Sequence, residues 1–220
     1  MFLKRIICLA NSRKIKGRCI AGKEYLGPNK FGEWIRPVSA RPKGELSPQE
    51  IAYEKGSRPE VLDIVTMPLQ KRSPQAYQVE NILIDHGKKW DKYKELDKNS
   101  VIKMLDDVPT LWLNGWHSSN GINDRIPQEI AEQQIRSSLL LIKPDSFRIH
   151  VEQELKGKKA RARFKYQGVE YWLVITDPIE DLYKKKSTGD YKISVNVFLC
   201  VSLGEPFGEW CYKLVAGVIR

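Results

Sequence analysis

The chain has 220 residues, 41% hydrophobic and 29% charged, the balance of a folded globular protein, and no tract is biased enough for disorder or a solenoid array. Its net charge of +10 is uneven: residues 1–43 hold 11 basic and 2 acidic side chains, whereas residues 73–142 hold 8 basic and 10 acidic. A local excess of this kind points to polyphosphate backbones, anionic membranes or acidic proteins as partners.

Short apolar runs rich in β-branched and aromatic residues, broken by Gly, Pro and Asn, predict strands at 4–10, 17–24, 32–38, 61–69 and 77–84. Further strands are expected at 139–143, 147–154, 159–166, 169–176, 193–203 and 211–219. Helices are few. Ser47-Pro48-Gln49-Glu50 combines an N-cap serine, a first-turn proline and a glutamate at the third position, which predicts a short helix. A second is expected from Ser100 to Asp107, and a third from Pro127 to about Arg136 with Ile130 and Ile135 facing inward. Many short strands with turns between them argue for barrels or sandwiches.

Alternation along Lys159-Ala160-Arg161-Ala162-Arg163-Phe164-Lys165-Tyr166 puts Arg161, Arg163 and Lys165 on one sheet face and Ala160, Ala162, Phe164 and Tyr166 on the other. After a Gln167-Gly168 turn the chain returns through Val169–Ile175 as the second arm of a hairpin. A similar plan appears early, where Arg18–Lys23 is followed by a Gly-Pro-Asn turn and Gly32–Val38. Two basic hairpins, one in each half, suggest two related barrels.

Cys8, Cys19, Cys200 and Cys211 form no CxxC pair and have no histidine at ligand spacing, so they read as strand cysteines of a reducing compartment rather than a zinc site. Met1–Ala10 carries charges inside its apolar stretch and is too short and polar for a signal peptide or a span, which predicts a cytoplasmic protein. His86, His117 and His150 lie far apart, with no hydrolase, metalloprotease or nucleotide-binding motif around them. The expectation is no catalytic residue, no metal and no cofactor.

Single-strand binding needs cations for phosphates and flat side chains for bases. Asn11, Ser12, Arg13, Lys14, Lys16, Arg18 and Lys23 gather around one short loop, with Trp34, Arg36 and Arg41 on the next strand and its exit. In the second half Arg161, Arg163 and Lys165 form the matching row. Between them Leu111–Arg125 has two tryptophans, three asparagines and two glycines without a period, which suits a functional loop or a bridge between domains. Trp112, Asn114 and Arg125 are its candidate contacts.

Several motifs, in order along the chain, carry a family resemblance. They include Cys8–Lys14, Gly17–Gly22, Gly32–Ser39, Gly44–Ser47, Tyr77–Asn81, Leu111–Gly115, Asn123–Arg125, Ser137–Ile142, Gly168–Tyr171, Leu199–Phe207 and Cys211–Ala216. Together these resemble the bacterial dual OB-containing domain family. The resemblance implies two OB folds, and the clustering of strand signals at both ends predicts a mainly β protein with short helices: two OB-like β-barrels packed side by side, at 1–110 and 135–220, with a loop and short helix at 111–134 between them. It also implies nucleic-acid binding in bacterial mobile-element or phage-defence systems. Trp116-His117 departs from the smaller polar residues expected after the Asn-Gly turn.

Three readings follow. A non-catalytic module for single-stranded or structured DNA or RNA, in a multi-component system with a protein partner, predicts affinity that falls steeply with salt. An OB-fold sensor or adaptor for a protein partner or a small nucleotide predicts weak salt dependence. A metal-dependent nuclease predicts turnover with a divalent ion.

Overall fold

The computed structural model describes residues 1–154, 157–193 and 196–220. The chain divides into two compact units, Met1–Met104 and Leu105–Arg220.

In the first unit, β1 (Phe2–Lys14), β2 (Gly17–Gly27), β3 (Lys30–Val38), β4 (Asp63–Arg72) and β5 (Asn81–Ile84) run in the order β1-β2-β3-β5-β4, and β1 also pairs with β4. That extra pairing closes a five-stranded barrel. Strand β1 is long enough to serve both neighbours, because Phe2–Ile7 lie against β4 while Ile6–Lys14 lie against β2. All pairings are antiparallel except β3 with β5, the strand order of an OB fold. Its interior is filled by Ile6, Cys8, Ile20, Ile35, Leu46, Val65, Met67, Leu69, Ile82, Ile84 and Trp90. Gly22 stands opposite Cys8, where a Cβ would overlap the carbonyl oxygen of Ile7. A sixth strand, β6 (Asp91–Glu95), adds to β4, and a 3-10 helix (Lys98–Met104) follows, burying Val101 and Met104.

The second unit repeats the plan with one break. β9 (Ser146–Glu154), β10 (Gly157–Tyr166), β11 (Val169–Ile175), β14 (Trp210–Ile219) and β13 (Phe198–Phe207) are ordered β9-β10-β11-β14-β13, with β11 and β14 parallel. The closing pairing with β13 comes from β8 (Leu139–Ile142), which ends just before Lys143-Pro144-Asp145 and β9. β8 and β9 together thus occupy the place of β1, and Pro144, which has no N–H to give a ladder, sits at the break. β12 (Gly189–Lys192) lies outside β9, and β7 (Arg125–Pro127) pairs with β14. Two helices complete the unit. α1 (Gln128–Gln134) buries Ala131, and α2 (Ile179–Lys184), between β11 and β13, sends Ile179 and Tyr183 into the core.

The expected mainly β architecture with two OB-like barrels is what the chain forms. Cys8, Cys200 and Cys211 are buried and Cys19 partly so, all in strands. Differences are local. The bonds foreseen at Ser47 form, with Glu50 N donating to Ser47 Oγ (3.3 Å) and Ser47 N to Glu50 Oε2 (2.7 Å), but only one turn closes before Tyr53 bridges to Trp90. The helix expected at 100–107 is the 3-10 helix Lys98–Met104. The expected strand 193–203 begins at Phe198; of its first residues, 194 and 195 lie outside the described ones. The division falls at Met104/Leu105, and residues 111–134, expected as a connector, pack within the second unit. Leu111 is fully buried in that unit's core, and Ile122 pairs with Trp172.

Candidate nucleic-acid interface

The outward face of the second and third barrel strands is where OB folds hold ligands, and both barrels place the same pair there. On β2 and β3, Lys23 stands directly opposite Trp34, with Nζ 5.3 Å from the indole centroid. On β10 and β11, Arg163 stands directly opposite Trp172, with its guanidinium carbon 3.8 Å from the ring centroid. The positions correspond. Each tryptophan lies two residues before the first parallel pair of its barrel, Arg36 with Asn81 and Val174 with Leu214.

The two faces differ in what remains available. In the first barrel Lys23 Nζ donates to Met104 O at 2.7 Å, so the 3-10 helix takes part of the charge. In the second, direct cross-strand partners line up as Lys192 on β12, Arg148 on β9, Arg163 on β10 and Trp172 on β11. Direct partners share a face, and the row inward of this one, Ile149, Ala162 and Leu173, is fully buried. Asp190 is the anion among these cations. Its Oδ2 lies 3.0 Å from Arg148 Nη1, while its Oδ1 lies 2.6 Å from His150 Nδ1 and 3.9 Å from Arg163 Nη1. Burial pushes the Asp190 carboxyl up, but His150 and Arg148 outweigh it and hold it below the usual range. Glu170 Oε1 accepts from the Trp172 indole N–H at 2.8 Å, so the row carries the cations Arg148, Arg163 and Lys192 against the carboxylates of Asp190 and Glu170.

The expected alternation of 159–166 holds, with Ala160, Ala162, Phe164 and Tyr166 buried. The three cations opposite them differ in state. Arg161 is spent on Glu152 (2.6 Å) and Glu154 (2.7 Å), Arg163 rests on Trp172, and Lys165 is exposed between Ser146 and Glu170.

In the N-terminal cluster the charges separate. Arg36 does not share its surface. It is 2% exposed, reaches Glu80 at 3.5 Å and donates to Asn81 Oδ1 at 3.4 Å, because a buried guanidinium is tolerable only beside an anion. Asn11 donates to Pro59 O at 2.7 Å and Ser12 to Cys19 O at 3.4 Å, both fixing the barrel. Arg41 forks onto Glu50 at 2.8 and 3.1 Å. Arg13, Lys14, Lys16 and Arg18 remain together at the β1–β2 hairpin, with Arg13 directly opposite Arg18. Like charges facing one another across a ladder cost stability that a bound anion removes.

The loop residues have partners within the second unit. Trp112 donates its indole N–H to Ser137 O (2.7 Å). Asn114 Oδ1 accepts from Lys213 (3.1 Å), whose Nζ also reaches Leu113 O (2.6 Å). Lys213 is 1% exposed, and burial lowers its pKa to about 7 against the pull of Asp124. Arg125 stacks on Trp210 at 3.9 Å. His117 Nδ1 accepts from Asn123 N, so the unexpected Trp116-His117 step helps close the loop. Residues absent from the expectation are Arg148, Trp172 and Lys192. The hairpin register could have supplied Trp172, and nothing in the exposed β12 sequence could have supplied Lys192.

Among the described residues no group of three or more His, Cys, Asp or Glu is placed to hold a metal ion, and no helix is long and apolar enough to cross a membrane. Searches of curated proteins and of solved structures return no match to this chain. The model of the dual OB-containing domain family matches residues 4–218, nearly the whole length. With two units that each take the OB strand order and that match across the sequence, the chain belongs to the dual OB-containing domain family.

Proposed function

We propose that the protein is a non-catalytic binding module for single-stranded nucleic acid, and that the second barrel supplies the principal face. The observation that carries this reading is the cation stacked on a tryptophan at corresponding positions of both barrels, continued in the second by Arg148 and Lys192. An indole next to guanidinium groups offers one flat surface for a base and charge for the adjoining phosphates, without reading sequence. The hairpin cations Arg13, Lys14, Lys16 and Arg18 add phosphate contacts. Arg161, neutralised by two glutamates, adds little.

The test is a titration of labelled single-stranded DNA and RNA between about 50 and about 200 mM salt, where each phosphate contact contributes about −0.7 to the log–log slope. Trp172→Ala is expected to cost about 1–3 kcal/mol of binding with the slope unchanged. Arg163→Ser should lower both affinity and slope. Absence of binding at the lowest salt, or full affinity in folded Trp172→Ala, overturns the proposal.

A further inference from the structure

The break between β8 and β9 leaves a cavity of about 700 Å³ beside the cationic row. Its wall is apolar at Pro144, Phe147 and Val197 and polar at Ser146, Arg148 and Lys192. The volume lies within the range of about 300–1,000 Å³ usual for small-ligand sites. Asp145 also borders it, but its carboxylate is engaged, Oδ2 accepting from Gly168 N at 3.0 Å. Lys192 is exposed and has no hydrogen bond or ion pair among the described residues, and Arg148 gives one nitrogen to Asp190 and keeps its others. The cavity therefore combines apolar wall with two cations, Arg148 and Lys192.

We propose that this cavity holds a nucleoside monophosphate unit, its base against Pro144 and Ile193 and its phosphate on Arg148 and Lys192, either as free nucleotide or as the end of a bound strand. The inference rests in part on the proposed function, because Arg148 and Lys192 belong to the same row as Arg163 and Trp172. That row crosses four strands at about 4.8 Å each, roughly 14 Å in all. It stops at β12, which among the described residues pairs only with β9 and is the edge of the sheet. A strand laid along the row from Trp172 reaches the cavity where the sheet ends, so the cavity suits a terminal rather than an internal nucleotide.

The experiment compares three probes on the full chain by calorimetric titration: AMP, a linear 5′-phosphorylated oligonucleotide, and the same sequence circularised so that it has no end. Ser146, exposed at the start of β9, is replaced in Ser146→Trp to fill the cavity, and Arg148→Ser/Lys192→Ser removes the cations without adding bulk. Thermal melts check folding of both variants. The expected result is linear binding at least tenfold tighter than circular, with the ratio falling toward one in either variant. AMP binding that both variants abolish, with no strand bound, also supports the cavity while removing the proposed face. Equal affinity for linear and circular strands, unaltered in Ser146→Trp and with no AMP bound, overturns the cavity, and an equal fall for both strands in Arg148→Ser/Lys192→Ser then leaves the face standing. No binding of any probe overturns both.

Discussion

Lys213 offers the sharpest physical test of the second barrel. Its amine lies on β14, sealed beneath the loop that begins at Leu111, and burial lowers its pKa to about 7 from the ordinary 10.5. Between those pH values the unfolded chain carries a proton on this amine that the folded chain does not. Stability therefore rises with pH across the window, by at most about 1.4 kcal/mol per pH unit, and the penalty is complete below about pH 7. From about pH 7.5 to about pH 9.5 the gain attributable to Lys213 is about 2.5 kcal/mol. Lys213→Met keeps the length of the side chain and removes the titration. It also leaves Leu113 O and Asn114 Oδ1 without their donor, a pH-independent loss of about 1–3 kcal/mol. Urea unfolding of both proteins at the two pH values, with the m-value held constant, isolates the effect as a difference of differences. Burial pushes the nearby Tyr171 phenol up from its ordinary value, away from the two assay pH values. Parallel stability–pH curves for the two proteins would refute the reasoning.

Two further outcomes rest on local geometry. Gly22→Ala should destabilise the first barrel by more than about 3 kcal/mol, because the added methyl meets backbone at Ile7 and no rotamer relieves it; thermal melting checks this. Burial pushes the Glu50 carboxyl up, but Arg41 and both groups of Ser47 outweigh it and lower its pKa to about 2. The stability this gives is complete above the ordinary carboxylate value of 4.5 and is lost as pH falls toward 2, up to about 3 kcal/mol in all. Acid unfolding of Glu50→Gln should lack that loss.

How much of this was legible beforehand follows from which signals are local. Strands β9, β10 and β11 bury one face and show it as alternation, and β1, β2 and β3 each carry a short apolar run bounded by turn residues, so their existence and hairpin partners could be read directly. β6, Asp-Lys-Tyr-Lys-Glu, has all five residues exposed and exists because β4 offers it a ladder, which no apolar pattern records. At the site, Arg36 looked like a phosphate ligand because its partner Glu80 arrives from the start of β5, far along the chain. Arg161 looked free because the two glutamates that hold it come from across the β9–β10 ladder. The Arg163–Trp172 pair, by contrast, is fixed by the Gln167-Gly168 turn, whose positive φ values of 50° and 74° set the register of the hairpin.

The division of one barrel strand into β8 and β9 has a consequence for how the second barrel breathes. The first barrel is zipped by a continuous β1, with six residue pairs to β4. The second is zipped by β8 alone, with four pairs to β13, and Pro144 interrupts the ladder before β9 begins. A short latch of this kind can release by itself, since the hydrogen bonds of β9 with β10 do not depend on it. Amide protons of residues 139–142 should then exchange with solvent through a small opening of that seam, while those of the β9–β11 meander exchange only when the whole barrel unfolds.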